Sequence, residues 1–304
     1  MSRSFALPSV GAQLDADLRA GLAAVEQELR DAVKSNNHFV AETSRHLVEA
    51  GGKRFRPLLV LLAAQLGDAH APGVVPSAVV VELTHLATLY HDDVMDEADL
   101  RRGADSANAR WGNTVAILTG DFLFARASDI LADLGPECVR LQARTFERLV
   151  TGQIRETVGP ADGEDPVEHY LSVLADKTAS LIATSGRFGA LLSGAGEAAV
   201  DIMTRFGERI GVAFQLSDDL LDVASESGVS GKTPGTDLRE GIPTLPVLYF
   251  RRLADPADAR DVRLLQLLDG GLADDARTVL APLPDSPTRA ALEALCDSVI
   301  TRTS

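Results

Sequence analysis

Three aspartates in the stretch YHDDVMDEADLRRG could bind a metal ion. Apolar residues at helical spacing precede them, so Asp92 and Asp96 lie one turn apart on one face of a predicted helix, with Asp93 beside them. Carboxylates about 5.5 Å apart repel by roughly 3 kcal/mol at an effective dielectric constant of about 20, so the cluster favours a cation. Oxygen ligands of this kind suit Mg²⁺, which often shares its coordination with substrate phosphates.

A second acidic cluster has the same spacing. The stretch QLSDDLLD contains Asp218, Asp219 and Asp222 and follows a strongly apolar helical pattern. One such cluster alone is as consistent with a solvated helix face as with a metal site. Two copies in apolar helices favour a site, and we expect the clusters to face each other and clamp a diphosphate.

Cations that could bind phosphate occur at four places along the chain. The chain has 25 arginines but only four lysines, and three of these, Lys53, Lys177 and Lys232, lie in polar or glycine-rich settings. The alternative explanation is that these three lysines lie in such settings by chance. The segment GGKRFRP joins three cations to two glycines and a helix start, which predicts an anion site. Arg101 and Arg102 follow the first acidic cluster and could bind phosphate oxygens in bidentate fashion.

Other residues are less informative by themselves. His85, on the apolar helix before Asp92, is by type and setting more often a core histidine than a ligand. Lys177 and Thr178 fall in one predicted helix from Val167 to about Leu192. The glycine-rich stretch from Ala224 to Pro246, which contains Lys232, predicts a mobile lid.

Composition predicts an all-α fold in a single domain covering residues 1–304. Long Ala- and Leu-rich runs have helical periodicity, and aromatic content is only 5%. A net charge of −15 argues against nucleic acid and anionic membranes as partners. No run of 18 apolar residues or signal peptide is seen, and Cys138 and Cys296 show no metal-ligand spacing; we expect a cytoplasmic protein with reduced thiols and no integral membrane segment.

The ordered motifs resemble those of the trans (E-type) polyprenyl diphosphate synthases over essentially the whole chain. They are GGKRFRP, ELTHLATLYHDDVMDEADLRRG, GQ at Gly152 and Gln153, KTA at Lys177, FQLSDDLLD and GKTPGTDLREG. The resemblance implies about a dozen helices around a deep central cavity, usually in a homodimer. It also implies that an allylic diphosphate ionises and alkylates isopentenyl diphosphate, which lengthens the chain by five carbons.

The resemblance also implies roles for individual residues. About three Mg²⁺ ions per active site would bridge the allylic diphosphate to Asp92, Asp96 and Asp218, with Asp93, Asp219 and Asp222 in support. Arg101, Lys177 and Lys232 would hold the allylic diphosphate. Isopentenyl diphosphate would be held by Lys53, Arg56, His85 and Arg102, which gives His85 a role in binding. Thr178 and Gln215 would place oxygen dipoles near the developing cation, and the released diphosphate would take the proton.

Product length depends on the helix before Asp92, along which the growing tail should run. Thr88 and Ala87, four and five residues before Asp92, are small, which resembles the medium- and long-chain synthases that make quinone side chains. Phe122, Leu123 or Phe124 could still close the tunnel. We expect about six to ten isoprene units, with each helical turn adding roughly one unit.

Some alternatives stay open. A short-chain synthase making farnesyl or geranylgeranyl diphosphate would use the same motifs. A class I terpene cyclase would not need Lys53, Arg56 and Arg102, and a regulatory subunit would usually lack one or more of the aspartates. Many members of the family also carry a lysine where this chain has Ile242, so its allylic site is expected to be less positively charged.

Overall fold

The computed structural model describes residues 12–224, 244–254, 257–258 and 260–262, without the side chains of residues 218 and 220–224. The predicted all-α fold is confirmed: eleven α-helices, one π turn and one two-stranded hairpin make up this part of the chain. The helices are α1 (Ala12–Ala32), α2 (His38–Glu49), α3 (Phe55–Ala64), α4 (Val74–Met95), α5 (Ala107–Trp111), α6 (Asn113–Leu134), α7 (Pro136–Val158), α8 (Pro166–Leu174), α9 (Ser180–Leu192), α10 (Glu197–Ala224) and α11 (Leu245–Leu253). Within these ranges no helix is long and apolar enough to cross a membrane.

The described residues form two compact units, and the prediction of a single domain stays a prediction. The first unit contains residues 12–151 and 175–211, and the second contains residues 152–174 and those described from 212 onward. Two helices, α7 and α10, each contribute residues to both units.

Helix α4 is the core of the first unit and carries the first acidic cluster at its end. Almost every residue from Ser77 to Ala87 is buried, so α4 is covered on nearly all sides by α1, α3, α6 and α9. Tyr90 fixes the C-terminal half of α4, because the tyrosine hydroxyl donates to the Thr43 carbonyl oxygen and accepts from the Leu47 amide on α2. These contacts hold the start of the acidic cluster in place.

Glycine allows two of the closest helix contacts in this unit. A Cβ atom at Gly189 of α9 would lie 2.1 Å from the Val60 carbonyl oxygen of α3, and one at Gly120 of α6 would lie 2.3 Å from His91 Nε2 on α4. The second contact places the ring of His91, the residue before Asp92, against the backbone of α6. His91 Nε2 lies 3.0 Å from the Ile117 carbonyl oxygen.

The hairpin follows α4 and consists of β1 (Leu100–Arg101) and β2 (Ala104–Asp105). Its two turn residues, Arg102 and Gly103, have φ values of 55° and 79°, the left-handed pair typical of a tight hairpin turn. Arg101 is the last residue of β1 and Arg102 is the first residue of the turn, so their side chains point in different directions. Arg101 and Arg102 therefore reach different groups although they are adjacent in sequence.

In the second unit, α8 packs against α11. Asp165 caps α8, because its carboxylate accepts from the amides of Val167 and Glu168 at 2.8 and 3.2 Å. A cavity of about 490 Å³ lies beside this contact and is lined largely by apolar residues of α8 and α11.

The predicted continuous helix from Val167 to Leu192 is interrupted. Helix α8 ends at Leu174, the π turn covers Ala175–Ala179, and α9 begins at Ser180. The interruption falls on Lys177 and Thr178, which the sequence places in the site.

Candidate active site

The first acidic cluster occupies the last turn of α4. Asp96 caps the helix and is exposed, with its amide donating to the Asp92 carbonyl oxygen at 2.8 Å. Asp92 is partly buried, and Asp93 has no solvent exposure. The helix thus presents two of the three carboxylates toward solvent, one turn apart, and turns the third inward.

Arg101 of the hairpin binds the inward carboxylate. Its Nε lies 2.5 Å from Asp93 Oδ1, and its Nη2 lies 3.8 Å from Asp96 Oδ2. Burial raises the pKa of Asp93, and the charge of Arg101 opposes that effect. Asp93 Oδ2 is buried and has no hydrogen-bond partner within the described part of the chain. Arg101, predicted to hold the allylic diphosphate, therefore also orients the cluster.

Arg102 points to the glycine loop between α2 and α3. Its guanidinium donates to the carbonyl oxygens of Leu47 and Gly51, and a Cβ at Gly52 would lie 2.9 Å from its Nη1. Gly51 has a φ of 79°, a conformation that glycine adopts without strain. The two glycines that the sequence flags thus let the loop turn beneath Arg102.

Three of the residues predicted to bind isopentenyl diphosphate affect one another's pKa: the charge of Arg102 lowers the pKa of Arg56, and both arginines lower the pKa of His85. Burial lowers the pKa of Arg56 to about 10, an effect that Glu82 opposes and Arg102 reinforces. Burial also holds the pKa of His85 well below its usual value, helped by the positive charges of Arg56 and Arg102 and then of Arg54 and Arg101. Arg56 Nε is buried without a hydrogen-bond partner among the described residues. Such a cluster favours a bound anion.

The other two cations of the glycine loop differ from Arg56. Lys53 is exposed. Arg54 is buried and donates to Glu26 of α1 at 2.6 Å, to Glu82 of α4 at 2.7 Å and to the Val48 carbonyl oxygen at 2.9 Å. Arg54 therefore ties the loop to two helices, and the predicted anion site depends on its neighbours.

The predicted catalytic pair Lys177 and Thr178 lies in the π turn, and both residues are partly buried. Arg148 of α7 contacts this turn at two points: its Nε donates to Asp176 Oδ1 at 2.8 Å and its Nη2 to the Ala175 carbonyl oxygen at 3.1 Å. These bonds join α7, the helix that contains the Gly152–Gln153 motif, to the segment that carries Lys177.

The second acidic cluster lies on α10, in the second unit. Asp219 is buried, its Oδ1 accepts from Gln215 Nε2 at 3.0 Å, and its other oxygen accepts from the Tyr170 hydroxyl. Gln215, predicted near the developing cation, therefore also orients this carboxylate. The side chains of Asp218 and Asp222 lie outside the described residues, as do Lys232, Ile242 and the predicted lid. That the two clusters face each other stays a prediction.

Several residues bear on the predicted floor of the product tunnel. Ala87 is fully buried and Thr88 partly buried. Leu123 is in the core, and the ring of Phe124 contacts that of Phe146 in a tilted arrangement with ring centroids 4.3 Å apart. One turn below Thr88, Thr84 is fully buried and accepts from Gln142 Nε2 of α7 at 2.7 Å.

Sequence reasoning missed Tyr170, Arg148 and Gln142. No local signal marks them: a tyrosine, an arginine and a glutamine in amphipathic helices are ordinary residues. Their partners are 27 to 60 residues away along the chain. Only the three-dimensional arrangement assigns them to the site.

Together these features define an all-α enzyme of the class that joins diphosphate substrates, with an acidic helix end beside a partly buried basic cluster. Comparison with known proteins agrees. The family model described as Polyprenyl synthetase matches residues 37–277. The chain is 47% identical to nonaprenyl diphosphate synthase of Mycobacterium tuberculosis, with 94% of each chain covered.

Two solved structures are also similar. One is geranylgeranyl pyrophosphate synthase from Corynebacterium glutamicum complexed with calcium and isoprenyl diphosphate, with a TM-score of 0.74, 42% identity and coverage of 97% of this chain and 99% of that one. The other is decaprenyl diphosphate synthase from Rhodobacter capsulatus, with a TM-score of 0.75, 34% identity and coverage of 96% and 99%. The chain belongs to the polyprenyl synthetase family and is a prenyltransferase that extends an allylic diphosphate with isopentenyl diphosphate.

Proposed function

We propose that this enzyme is Mg²⁺-dependent and makes an all-trans product of about six to ten isoprene units, used for quinone side chains. One observation carries the assignment of the substrate sites. Arg56, His85 and Arg102 form a partly buried basic cluster around α4, and the same helix ends in Asp92 and Asp96. Helix α4 therefore connects the proposed isopentenyl diphosphate site, through His85, to the proposed metal site at Asp92 and Asp96.

The donor set fits Mg²⁺. Among the residues whose side chains are described, no three acidic, histidine or cysteine groups converge at metal-binding distance, so a protein-only cage is absent from that part of the chain. Mg²⁺ is usually bound by one or two carboxylates together with waters and substrate phosphates, and Asp92 and Asp96 supply such a pair. Bound Mg²⁺ would neutralise the charge that develops on the leaving diphosphate. The Corynebacterium glutamicum relative was solved with calcium, another oxygen-seeking cation.

Separate sets of residues would then bind the two substrates. Arg56, Arg102 and His85 hold the isopentenyl diphosphate, with exposed Lys53 at the edge of the loop. Lys177, Arg101 and Lys232 hold the allylic diphosphate. The allylic C–O bond breaks, and its electron pair leaves with the diphosphate. Oxygen dipoles of Thr178 and Gln215 stabilise the carbocation.

Bond formation and proton loss complete the turnover. The double bond of isopentenyl diphosphate supplies the electron pair of the new C–C bond. A proton is then lost to the released diphosphate, and the new double bond forms. The apolar side chains of α4 and its neighbours exclude water, which would otherwise capture the cation.

The proposed product length depends on the residues of α4 on the N-terminal side of Asp92, along which the tail would run. Thr88 is partly exposed, and Thr84, one turn lower, is fully buried and bonded to Gln142. The Thr84–Gln142 bond lies about 12 Å along the helix from Asp92, the length of roughly two isoprene units, so a product of six to ten units must extend past it. We therefore place the tunnel floor beyond this bond. The small side chains of Ala87 and Thr88 favour a medium- or long-chain product over farnesyl or geranylgeranyl diphosphate.

A homodimer is part of the proposal. Helices α6 and α7 expose large apolar side chains, among them Ile117, Leu118, Val139 and Val150. Exposed apolar side chains on two neighbouring helices favour burial against another subunit. Analytical ultracentrifugation should give twice the chain mass, and Leu118→Glu should lower it toward the monomer.

Product analysis tests the reaction and its product length together. Purified protein would receive Mg²⁺, isopentenyl diphosphate and, separately, farnesyl or geranylgeranyl diphosphate, and the dephosphorylated prenols would be resolved by chromatography and mass. We expect one long series that disappears with a chelator and in Asp92→Ala. A product that stops at farnesyl or geranylgeranyl diphosphate would contradict the proposed length, and full activity in a chelator would contradict the metal.

A further inference from the structure

The π turn Ala175–Ala179 departs from regular helix at the residues that matter most for the allylic substrate. A π turn is a wide i→i+5 turn that is rare in proteins and is common at functional sites. It displaces Lys177 and Thr178 from where a continuous helix would put them. Because the wide turn is intrinsically unfavourable, neighbouring elements must stabilise it.

Arg148 stabilises the beginning of the turn. Its guanidinium makes two bonds to consecutive residues, to Asp176 Oδ1 at 2.8 Å and to the Ala175 carbonyl oxygen at 3.1 Å. The other edge forms a fork with Glu208 of α10, with Nη1 2.5 Å from Oε1 and Nη2 3.3 Å from Oε2. The hydrogen bond that Arg148 donates to Glu208 is the main reason that the pKa of Arg148 is raised.

Helix α10 holds the other end of the turn. A Cβ atom at Gly211 would lie 2.5 Å from Ala179 Cα, and one at Gly207 would lie 2.4 Å from Ala183 Cα. The backbones of α10, the turn and the start of α9 are therefore in direct contact. Lys177 and Thr178 lie between two anchors, Arg148 on one side and Gly211 on the other.

We propose that Arg148 is a positioning residue for the allylic site, which holds Lys177 and Thr178 in place through Asp176 and the Ala175 carbonyl oxygen, with Glu208 orienting its guanidinium. The inference rests on the proposed roles of Lys177 and Thr178. An arginine is required because its planar fork bonds Glu208 and the π turn at the same time, which the single ammonium of a lysine cannot do.

Steady-state kinetics of Arg148→Gln test the proposal, with farnesyl diphosphate and isopentenyl diphosphate varied in turn. We expect kcat/KM for farnesyl diphosphate to fall about 10- to 100-fold, since a displacement near 1 Å has an effect of this order. The KM for isopentenyl diphosphate should change less than about twofold, because its proposed residues lie on α3, α4 and the hairpin. Arg148→Lys should recover only part of the loss.

Matched variants distinguish a positioning role of Arg148 from a general role in folding. Arg144→Gln removes an exposed arginine one turn earlier on α7 and should leave both kinetic constants unchanged. Glu208→Gln weakens the fork and should give a smaller loss of the same kind, so the result does not depend on one variant. Equal losses for the two substrates, or a lower Tm with unchanged kinetics, would overturn the proposal.

A double-mutant cycle with Lys177→Ala distinguishes this inference from the proposed function. If Arg148 acts through the turn, the loss in the double variant should be well below the product of the two single losses, because part of the effect of Arg148 passes through Lys177. Losses that multiply would overturn the role of Arg148 and leave that of Lys177 intact. If Lys177→Ala itself leaves kcat/KM for farnesyl diphosphate unchanged, the proposed role of Lys177 fails, and this inference fails with it.

Discussion

Arg101 Nε lies 2.5 Å from Asp93 Oδ1, so the second aspartate of the first acidic cluster is bound by the protein itself. The second cluster has the same feature, because Asp219 is buried and accepts from the Tyr170 hydroxyl. In both clusters the middle aspartate therefore orients the helix end. In the first, Asp92 and Asp96 carry the more exposed carboxylates.

Substitution of the two consecutive aspartates should separate these roles. We expect Asp92→Asn to lower kcat by about 100-fold or more, because it removes a carboxylate that would share the metal with the diphosphate. Asp93→Asn should act indirectly and raise the Mg²⁺ concentration for half-maximal activity by about 10-fold. Mg²⁺ titrations of both variants measure this. If Asp93→Asn matched Asp92→Asn in kcat with an unchanged Mg²⁺ requirement, Asp93 would be a direct ligand.

The Tyr170 hydroxyl gives a similar prediction for the second cluster. Tyr170→Phe leaves one oxygen of buried Asp219 without its donor, so the carboxylate should be less well oriented. We expect the Mg²⁺ requirement to rise about 10-fold with little change in fold, as for other residues that support metal ligands. Tyr249→Phe, at a tyrosine about half exposed on α11, is the control and should behave like the wild type. Identical titrations for all three proteins would show that Tyr170 has no such role.

The clusters themselves could be predicted because helical spacing is a local property. The repeat of 3.6 residues places Asp92 and Asp96 on one face, and two glycines before a helix predict a loop near Arg56. Residue type alone could not show which aspartate turns inward. That depends on the hairpin, whose turn at Arg102 and Gly103 directs Arg101 back to Asp93.

The π turn shows a different limit of sequence reasoning. The residues around Lys177 have ordinary helical propensity and periodicity, so a continuous helix is the natural prediction. The turn depends on Arg148, 28 residues before Asp176, and on the contact at Gly211, and neither has a local signature. Long-range packing here overrides local propensity.

Arg54 should matter for stability. It is buried between Glu26 and Glu82, so Arg54→Ala would leave the buried carboxylate of Glu82 without its partner. We expect the free energy of unfolding to fall by about 3–5 kcal/mol. Arg30→Ala, which removes an exposed arginine 3.6 Å from the same Glu26, should reduce it by less than about 1 kcal/mol. Denaturant unfolding measures both, and equal losses would mean that burial of the Arg54–Glu82 pair is unimportant.

The Thr84–Gln142 bond should restrict how far the product tail extends along α4. Gln142→Ala removes one partner of this bond, and Thr84 keeps its bond to the Val80 carbonyl oxygen. We expect the product distribution to shift by about one isoprene unit or more toward longer chains, since each helical turn is about 5.4 Å. Gln142→Leu keeps the volume and should preserve the length, whereas Thr88→Phe should shorten the product. An unchanged product from Gln142→Ala would show that the tail does not pass the Thr84–Gln142 bond.

We expect the partly buried His85 in the basic cluster to make the fold sensitive to acid. Because the pKa of His85 is lowered in the folded protein, chiefly by burial and then by Arg56 and Arg102, the folded state favours the neutral ring. Its contribution to stability is complete above the unfolded pKa of about 6.5 and is lost as the pH falls toward the folded value. His85→Gln should remove this part of the pH dependence. Unfolding measured between about pH 7.5 and 5 tests the sign, and a histidine that stabilised the fold more at the acid end would contradict it.

Binding of isopentenyl diphosphate should reverse that shift. A bound diphosphate offsets the charges of Arg56 and Arg102, so the pKa of His85 should rise and protons should be taken up on binding near pH 6. Calorimetric titrations in buffers of different ionisation enthalpy measure the uptake. We expect a clear uptake in the wild type and a much smaller one in His85→Gln. Equal uptake in the two proteins would show that the protons go to another group, such as the diphosphate itself, and that the pKa of His85 does not rise on binding.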